Sequence, residues 1–257
     1  MKRSAVALLH FALIALASAA LFPLVWLVAS SIDRATPARH YIATFHRPGF
    51  TTWFVNSIFI ASATTVLTIL VSSLGGFALA KYRFRGRRVV MGLMLATMLL
   101  PAHLLLPGMF DLVARLGLAD TYAAVIVPGA LSLFATLLYA RSMRSVSDDE
   151  LDAARLDGAR EWRLWWDVAL PSSAPTTAAV LLMTFLGSWN GFIWPQLVLQ
   201  SESKHTLPIG LANLSALPGQ FGDLGLLLAS TALAILPAAA LFFATQRGFI
   251  SGLSRTI

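Results

Sequence analysis

The sequence predicts an all-α membrane protein, with six transmembrane helices and a two-helix cytoplasmic joint between spans four and five. Three observations carry that prediction. Charged residues are confined to a few joints, which leaves the windows 4–32, 48–80, 89–110, 121–140, 168–201 and 224–246 free of Asp, Glu, Lys and Arg. Each window holds the roughly 20 apolar residues a spanning helix needs. The apolar runs show no alternation of period two, so spanning strands are disfavoured. Lys and Arg fall unequally on alternate joints, which is how membrane proteins encode orientation.

The expected helices lie near residues 5–30, 54–80, 89–111, 121–140, 173–199 and 224–246. In the first, Lys2 and Arg3 precede an apolar run, and Ala17-Ser18-Ala19 resembles a signal-peptidase site. A signal peptide's apolar region is only about 7–15 residues long. This run continues through Trp26, Leu27 and Val28, so an uncleaved anchor is expected. Pro101 and Pro107 in the third span and Pro128 in the fourth are expected to bend their helices. One set of joints carries fourteen of the nineteen Lys and Arg residues and the opposite set five. Both termini are therefore expected in the cytoplasm. The expected organisation is a first anchor with a short outer loop (1–49), a transmembrane domain (50–250) and a cytoplasmic tail (251–257).

Composition narrows the function. Of 257 residues, 57% are hydrophobic and 12% charged, against roughly a quarter charged in a soluble chain. The net charge of +7 is spread as an orientation signal rather than gathered into a nucleic-acid footprint. With no cysteine, disulfides, thiolate metal sites and a cysteine nucleophile are excluded. The five histidines, 10, 40, 46, 103 and 205, form no H-E-x-x-H pattern, and no carboxylate pair lies within a span, so neither a catalytic residue nor a metal site is assigned. The three lysines, 2, 81 and 204, do not follow a glycine. A phosphate-cradling G-x-x-x-x-G-K-[ST] loop is therefore absent, and any ATP would be bound by another polypeptide.

The longest cytoplasmic joint, 141–171, does not read as a connector. Ser147 suits a helix N-cap, with Glu150 closing a capping box and Asp148 and Asp149 in the first turn. Leu151, Ala153, Ala154 and Leu156 form a narrow apolar stripe. Gly158 falls where a left-handed C-terminal residue is expected. A second amphipathic piece carries Trp162, Trp165 and Trp166, whose rings suit the membrane interface. Leu170-Pro171 then opens the next span. From these residues alone the first helix is either a surface helix on lipid headgroups or a docking helix for a cytoplasmic partner.

The joint resembles the cytoplasmic motif of ABC importer permeases: E-A-A, three residues, Gly, nine residues, Ile, any residue, Leu-Pro. Here the pattern is Asp152-Ala153-Ala154, Gly158 and Val168-Ala169-Leu170-Pro171, with every spacing kept and Asp and Val standing for Glu and Ile. Phe84-Arg85-Gly86-Arg87-Arg88, Asn56-Ser57, Leu186-Gly187-Ser188-Trp189-Asn190 and Thr206-Leu207-Pro208 are similar to the maltose-type carbohydrate permeases. The resemblance covers about residues 50–250. The first outer loop is shorter than the family's. The resemblance implies a bacterial inner-membrane permease subunit that forms half of a translocation pathway for a carbohydrate, or alternatively for glycerol phosphate or a polyol. It implies a second permease subunit, an ATP-binding subunit dimer and an extracytoplasmic solute-binding protein as partners. It assigns Asp152, Ala153, Ala154, Arg155, Asp157, Gly158, Leu170 and Pro171 to ATPase coupling, with Ala153, Ala154 and Gly158 there for close fit. Asn56, Ser188, Trp189 and Asn190 are the candidates for the solute path. Helix packing is the plainer reading of the second-span residues Asn56, Ser62, Thr64, Thr65, Thr68, Ser72 and Ser73, and an equal alternative for Asn190. The outward loop 200–223 is expected to reach toward the binding protein. Asn213-Leu214-Ser215 matches a glycosylation triplet by pattern alone and is assigned nothing. A homo-oligomeric channel is the competing class.

Overall fold

A computed structural model describes residues 2–33, 35–216 and 224–253. Arg34, the stretch 217–223 of the expected outer loop and the tail beyond 253, with Arg255, lie outside the described residues. Fourteen α-helical segments are described: α1 (Lys2–Ser31), α2 (Arg39–His46), α3 (Phe50–Lys81), α4 (Arg87–Thr97), α5 (Leu106–Arg115), α6 (Ala123–Ala130), α7 (Leu133–Ser142), α8 (Asp148–Leu156), α9 (Glu161–Arg163), α10 (Leu170–Ser172), α11 (Ala174–Trp189), α12 (Ile193–Val198), α13 (Leu207–Ala216) and α14 (Leu224–Leu253). No strand occurs among the described residues. Four stretches are long and apolar enough to cross a membrane: Leu8–Ser31, Phe50–Lys81, Ala123–Ser145 and Leu224–Gln246. Two bent pairs, Arg87–Met98 with Ala102–Arg115 and Glu161–Ser172 with Ala174–Trp189, bring the number of spans to six if each counts as one.

The bends are where the expected spans need correction. The third is not a rod over 89–111 but turns by 100° at Pro101, which has φ −60 and ψ 123. Proline has no N–H to continue the ladder and disfavours helical backbone in the residue before it. Pro107, in contrast, bends nothing: it occupies the first turn of α5, where its missing donor costs no bond. In the fourth span Pro128 stays inside α6. The helix parts three residues later, at Leu131, and Ser132 caps α7 by accepting from the Ala135 N–H at 3.2 Å. The fifth span does not run from 173 to 199. It stops at Trp189, and α12 starts anew at Ile193 with Pro195 in its first turn, where the missing N–H costs no intrahelical bond. Ser188, Trp189 and Asn190 thus end a helix rather than lying mid-span. Leu170-Pro171 falls in α10, ahead of an 83° bend, and the first-turn proline of α11 is Pro175.

The chain forms two compact units, Met1–Thr51 with Gly210–Leu236, and Thr52–Ile209 with Pro237–Ile257. In the first, the C-terminal end of α1 is tied to α2: Ser31 Oγ lies 2.6 Å from the Tyr41 hydroxyl, and His40 Nδ1 lies 2.8 Å from the Ser31 carbonyl. Thr44 Oγ1 meets Ser230 Oγ of α14 at 3.1 Å.

The second unit is organised on α3. Asn56, Ser57, Ile60, Ala61, Thr64, Thr65, Thr68, Ser72, Ser73 and Phe77 are all buried. Small residues at these helical spacings let neighbouring backbones come close. A Cβ on Gly76 would stand 2.4 Å from Tyr139 Cβ and 2.9 Å from the Ala140 nitrogen, so α3 and α7 touch there. The hydroxyls are used in packing. Thr65 and Thr68 donate to the carbonyls four residues back, and Ser72 reaches the Ser132 carbonyl at 3.3 Å, beside the break between α6 and α7. One apolar cluster lies around the C-terminal half of α3, with Phe77, Tyr139, Met143, Leu151, Leu164, Trp165 and Val180. Another lies around its N-terminal part, with Ile60, Val113, Ala124, Val125, Val198 and Leu199.

Candidate functional site

The joint between the fourth and fifth spans folds as two helical pieces. Ser147 is the N-cap of α8, but its Oγ accepts from the Asp149 N–H at 3.2 Å. No hydrogen bond of the Glu150 side chain is described, so the N-cap forms at the second helical residue without the reciprocal capping box. Asp148, Asp149 and Glu150 fill the first turn, where negative charge complements the helix dipole. At the other end Gly158 has φ +83. The Ala159 N–H reaches the Ala154 carbonyl and the Gly158 N–H the Arg155 carbonyl, each at 3.0 Å. This pair of bonds is the Schellman closure, which favours glycine because a side chain is strained at positive φ. Nothing lies within 4 Å of a Cβ placed on Gly158. The glycine is therefore required by the backbone, and close fit within the chain does not explain it.

The apolar stripe divides. Leu151 is fully buried and Ala154 half-buried against the cluster around Phe77. Asp149, Asp152, Ala153 and Leu156, at i, i+3, i+4 and i+7, share the outward face. All four are exposed, Leu156 to 90%. After Gly158, α9 runs into a π-helical stretch, Leu164–Ala169, a form that recurs at functional sites. It turns Leu164, Trp165 and Ala169 inward and leaves Trp162 and Trp166 exposed. Trp165 is thus a core residue rather than an interfacial one, and its Nε1 donates to Ser73 Oγ at 3.2 Å.

Charged bonds fasten the joint to the end of α3. Lys81 Nζ donates to Asp148 Oδ1 at 2.7 Å and to the Val146 carbonyl at 2.5 Å; its side chain is only 7% exposed. The Tyr82 hydroxyl donates to Glu161 Oε2. Arg155 grips Glu161 through Nε (3.0 Å) and Nη2 (3.3 Å) and Asp152 through Nη1 (2.7 Å). Bonds from Arg155 and Tyr82 hold the Glu161 carboxyl below the usual range, and the Lys81 ammonium does the same for Asp148. Tyr82 is raised, first by burial and then by its bond to Glu161. Sequence reasoning assigned Lys81, Tyr82 and Glu161 no part in the joint, and Ser73 only a general packing role. Lys81 carried only an orientation signal, and its partner lies 67 residues away.

At the opposite end of α3 the loop 198–207 is fastened in the same manner. Asn56 Nδ2 donates to the Ser203 and His205 carbonyls, both at 2.9 Å, and its Oδ1 accepts from the Tyr122 hydroxyl at 2.8 Å. Ser57 Oγ accepts from the Leu207 N–H at 2.8 Å. Asp120 sits at φ 55, a backbone that Asp tolerates better than most residues. Its carboxylate accepts from the Gln200 and Ser201 N–H groups at 3.0 Å, from Ser201 Oγ and from Lys204 Nζ at 2.9 Å. These bonds, the Ser201 hydroxyl's foremost, hold Asp120 far below the ordinary carboxylate range.

The four residues expected on a solute path are not brought together. Asn56 is committed to the loop. Trp189 is buried, stacked on Phe185 at 5.9 Å with its edge to Phe54. Ser188 lines a cavity of about 370 Å³ between α3, α6, α7, α11 and α12, alongside Thr64, Gly129, Thr184, Gly187 and Trp194. Asn190 is exposed and donates to the Leu186 carbonyl at 2.9 Å.

Residues 71–254 match the family described as the binding-protein-dependent transport system inner membrane component. The chain belongs to this family. Among relatives of this inner membrane component, the arabinooligosaccharides transport system permease protein AraQ of Halalkalibacterium halodurans is 38% identical over 216 residues, 84% of this chain and 77% of that one. The lactose transport system permease protein LacG of Rhizobium radiobacter is 32% identical over 200 residues, 78% of this chain and 72% of that one. A chain in the crystal structure of a bacterial ABC transporter involved in alginate import shares the fold, with a TM-score of 0.86 at 24% identity over 96% of both chains.

Proposed function

We propose that this inner membrane component is one of two permease subunits of an ATP-driven carbohydrate importer. On this reading it forms half of the translocation path and couples through the joint to a separate ATPase dimer. The observation that carries the coupling is the outward face of α8. Leu156 is 90% exposed on a helix whose other face is buried and whose two ends are fixed. Burying such a leucine in a partner contributes about 1.5–3 kcal/mol, and Ala153 beside it permits close approach. Asp152 and Asp149 give that face acidic edges for a cationic rim. Asp157 and Gly158 close α8, and Arg155 braces the joint from within. Leu170 and Pro171, next to the bend before α11, lead from the joint into the fifth span. ATP is bound by the partner, and this chain contributes no catalytic step.

The carbohydrate assignment draws on the named substrates of AraQ and LacG. The Lys and Arg bias puts the joint and both termini in the cytoplasm, and the loop 198–207 on the side of an extracytoplasmic solute-binding protein. Ser188 and Asn190 are the side chains assigned to the solute path; Asn56 and Trp189 support it through their bonds and stacking.

The test is reconstitution with the ATPase, second permease and binding protein in proteoliposomes, with uptake measured over a panel of oligosaccharides, glycerol 3-phosphate and polyols. ATP-dependent oligosaccharide uptake is expected. A Leu156→Glu variant should insert but retain on the order of a tenth or less of the ATPase at matched concentration. Uphill uptake without ATPase, or full ATPase capture by Leu156→Glu, refutes the reading.

A further inference from the structure

We propose that α3 is a transmission rod that carries the state of the ATPase-facing joint to the loop 198–207. The inference rests on reading the joint as the docking element. The joint's covalent connections are weak links. Toward α7 the backbone opens into extended residues at Val146 and Ser147, with ψ 131 and 132. Toward α11 it turns through 83° at Ser173. A push on α8 is poorly transmitted through either. The polar fastening is to α3: Lys81 on Asp148 and the Val146 carbonyl, Tyr82 on Glu161, and Ser73 on Trp165, while Leu151 and Leu164 share one apolar cluster with Phe77 and also with Tyr139 of α7 and Val180 of α11.

From Lys81 back to Asn56 the helix contains no proline and no break. At 1.5 Å per residue the two are about 37 Å apart. At that far end Asn56 and Ser57 hold the backbone of Ser203, His205 and Leu207. A shift or rotation of α3 must therefore move the loop's anchoring carbonyls and the joint's cap together. Coupling of this sort is a free energy shared by two sites, and it is reciprocal. Occupancy at the loop biases the joint as much as the joint biases the loop.

The experiment is a double-mutant cycle on the reconstituted complex. The readout is the ratio of ATPase rate with loaded binding protein to the rate without it. Lys81→Met releases the joint and Asn56→Leu releases the loop. Each is expected to lower that ratio about tenfold, a typical allosteric coupling. The double variant should be no worse than the poorer single, because a rod cut at one end transmits nothing more when cut at the other. Residues this far apart otherwise act independently. If the two losses multiply, or if either single variant keeps the wild-type ratio, the rod is refuted. Reversing the pair, with Lys81→Asp and Asp148→Lys together, should restore at least half of the wild-type ratio. Failure to restore it, or loss of ATPase capture in Lys81→Met, would make the clamp a folding element and overturn the proposal. If the wild-type complex captures no ATPase at all, the docking reading fails first, and it fails separately from the rod.

Discussion

Replacing Gly76 by alanine adds one methyl group at the closest approach of two spans. The new Cβ would lie 2.4 Å from Tyr139 Cβ, 2.9 Å from the Ala140 nitrogen and 3.0 Å from the Thr136 carbonyl oxygen. Carbon atoms in contact sit about 3.5–4.0 Å apart, so α3 and α7 must part by about 1 Å or more. Two of the three obstructing atoms belong to the α7 backbone, which has no rotamer to change. Overpacking of this kind costs typically 1–3 kcal/mol, and the rigid neighbours place this site near about 3. Against it stands the intrinsic gain of alanine over glycine in a helix, about 1 kcal/mol. The net is about 2 kcal/mol of destabilisation, or a fall in Tm of roughly 4–8 °C for a chain of this size. The assay is thermal unfolding of the purified chain in detergent, with Gly92→Ala as the control, since nothing lies within 4 Å of a Cβ there. A Gly76→Ala protein melting within about 1 °C of wild type, or no lower than the control, would refute the close contact.

Two further outcomes follow from the joint and the loop. Gly158→Val forces a β-branched residue to φ +83 with no neighbour to clash. It should cost at least about 1–2 kcal/mol of local stability through the backbone alone, read as faster hydrogen exchange at residues 154–159 and weaker ATPase capture, while Gly158→Asn loses less. Unchanged exchange in the valine variant would disprove the requirement. The lowered carboxyl of Asp120 stabilises the loop at every pH above the ordinary carboxylate value near about 3.9. That contribution is lost only as pH falls through the still lower folded-state value. Protection of residues 199–205, corrected for intrinsic exchange rates, should hold from pH 7 down to about 4 in wild type and be missing at pH 7 in Asp120→Asn; loss of wild-type protection at about pH 5 would refute it.

The spans were legible because charge cannot be hidden in hydrocarbon; the empty windows marked α1 and α3 almost to their ends and the start of α14, which runs on past the 224–246 window to Leu253. Their breaks were not, because a proline's effect depends on its position in a helical turn. Pro101 interrupts, Pro107 starts a helix and Pro128 is tolerated, and only the surrounding backbone separates these outcomes. In the joint, Gly158 and the N-cap Ser147 were readable from local spacing. Which half of the Leu151–Leu156 stripe faces inward was not, since the core that buries Leu151 comes from Phe77 and Leu164, distant in the chain. Lys81 with Asp148 and Tyr82 with Glu161 are pairings of the same long-range kind. Asn56 stood as a candidate solute ligand because a polar group inside an apolar run is costly unless it is put to use, in packing or in function. The carbonyls that occupy it belong to a loop some 150 residues onward.

The early stop of α11 bears on the bilayer itself. Its 16 residues reach about 24 Å, against an oily layer about 30 Å thick. The shortfall is met by the bent segment Glu161–Ser172 ahead of it, by α12 beyond the Gly191 corner, or by lipids dimpling inward around the stub. In each case the low-dielectric layer beside Ser188 is thinner than a full-length span would impose.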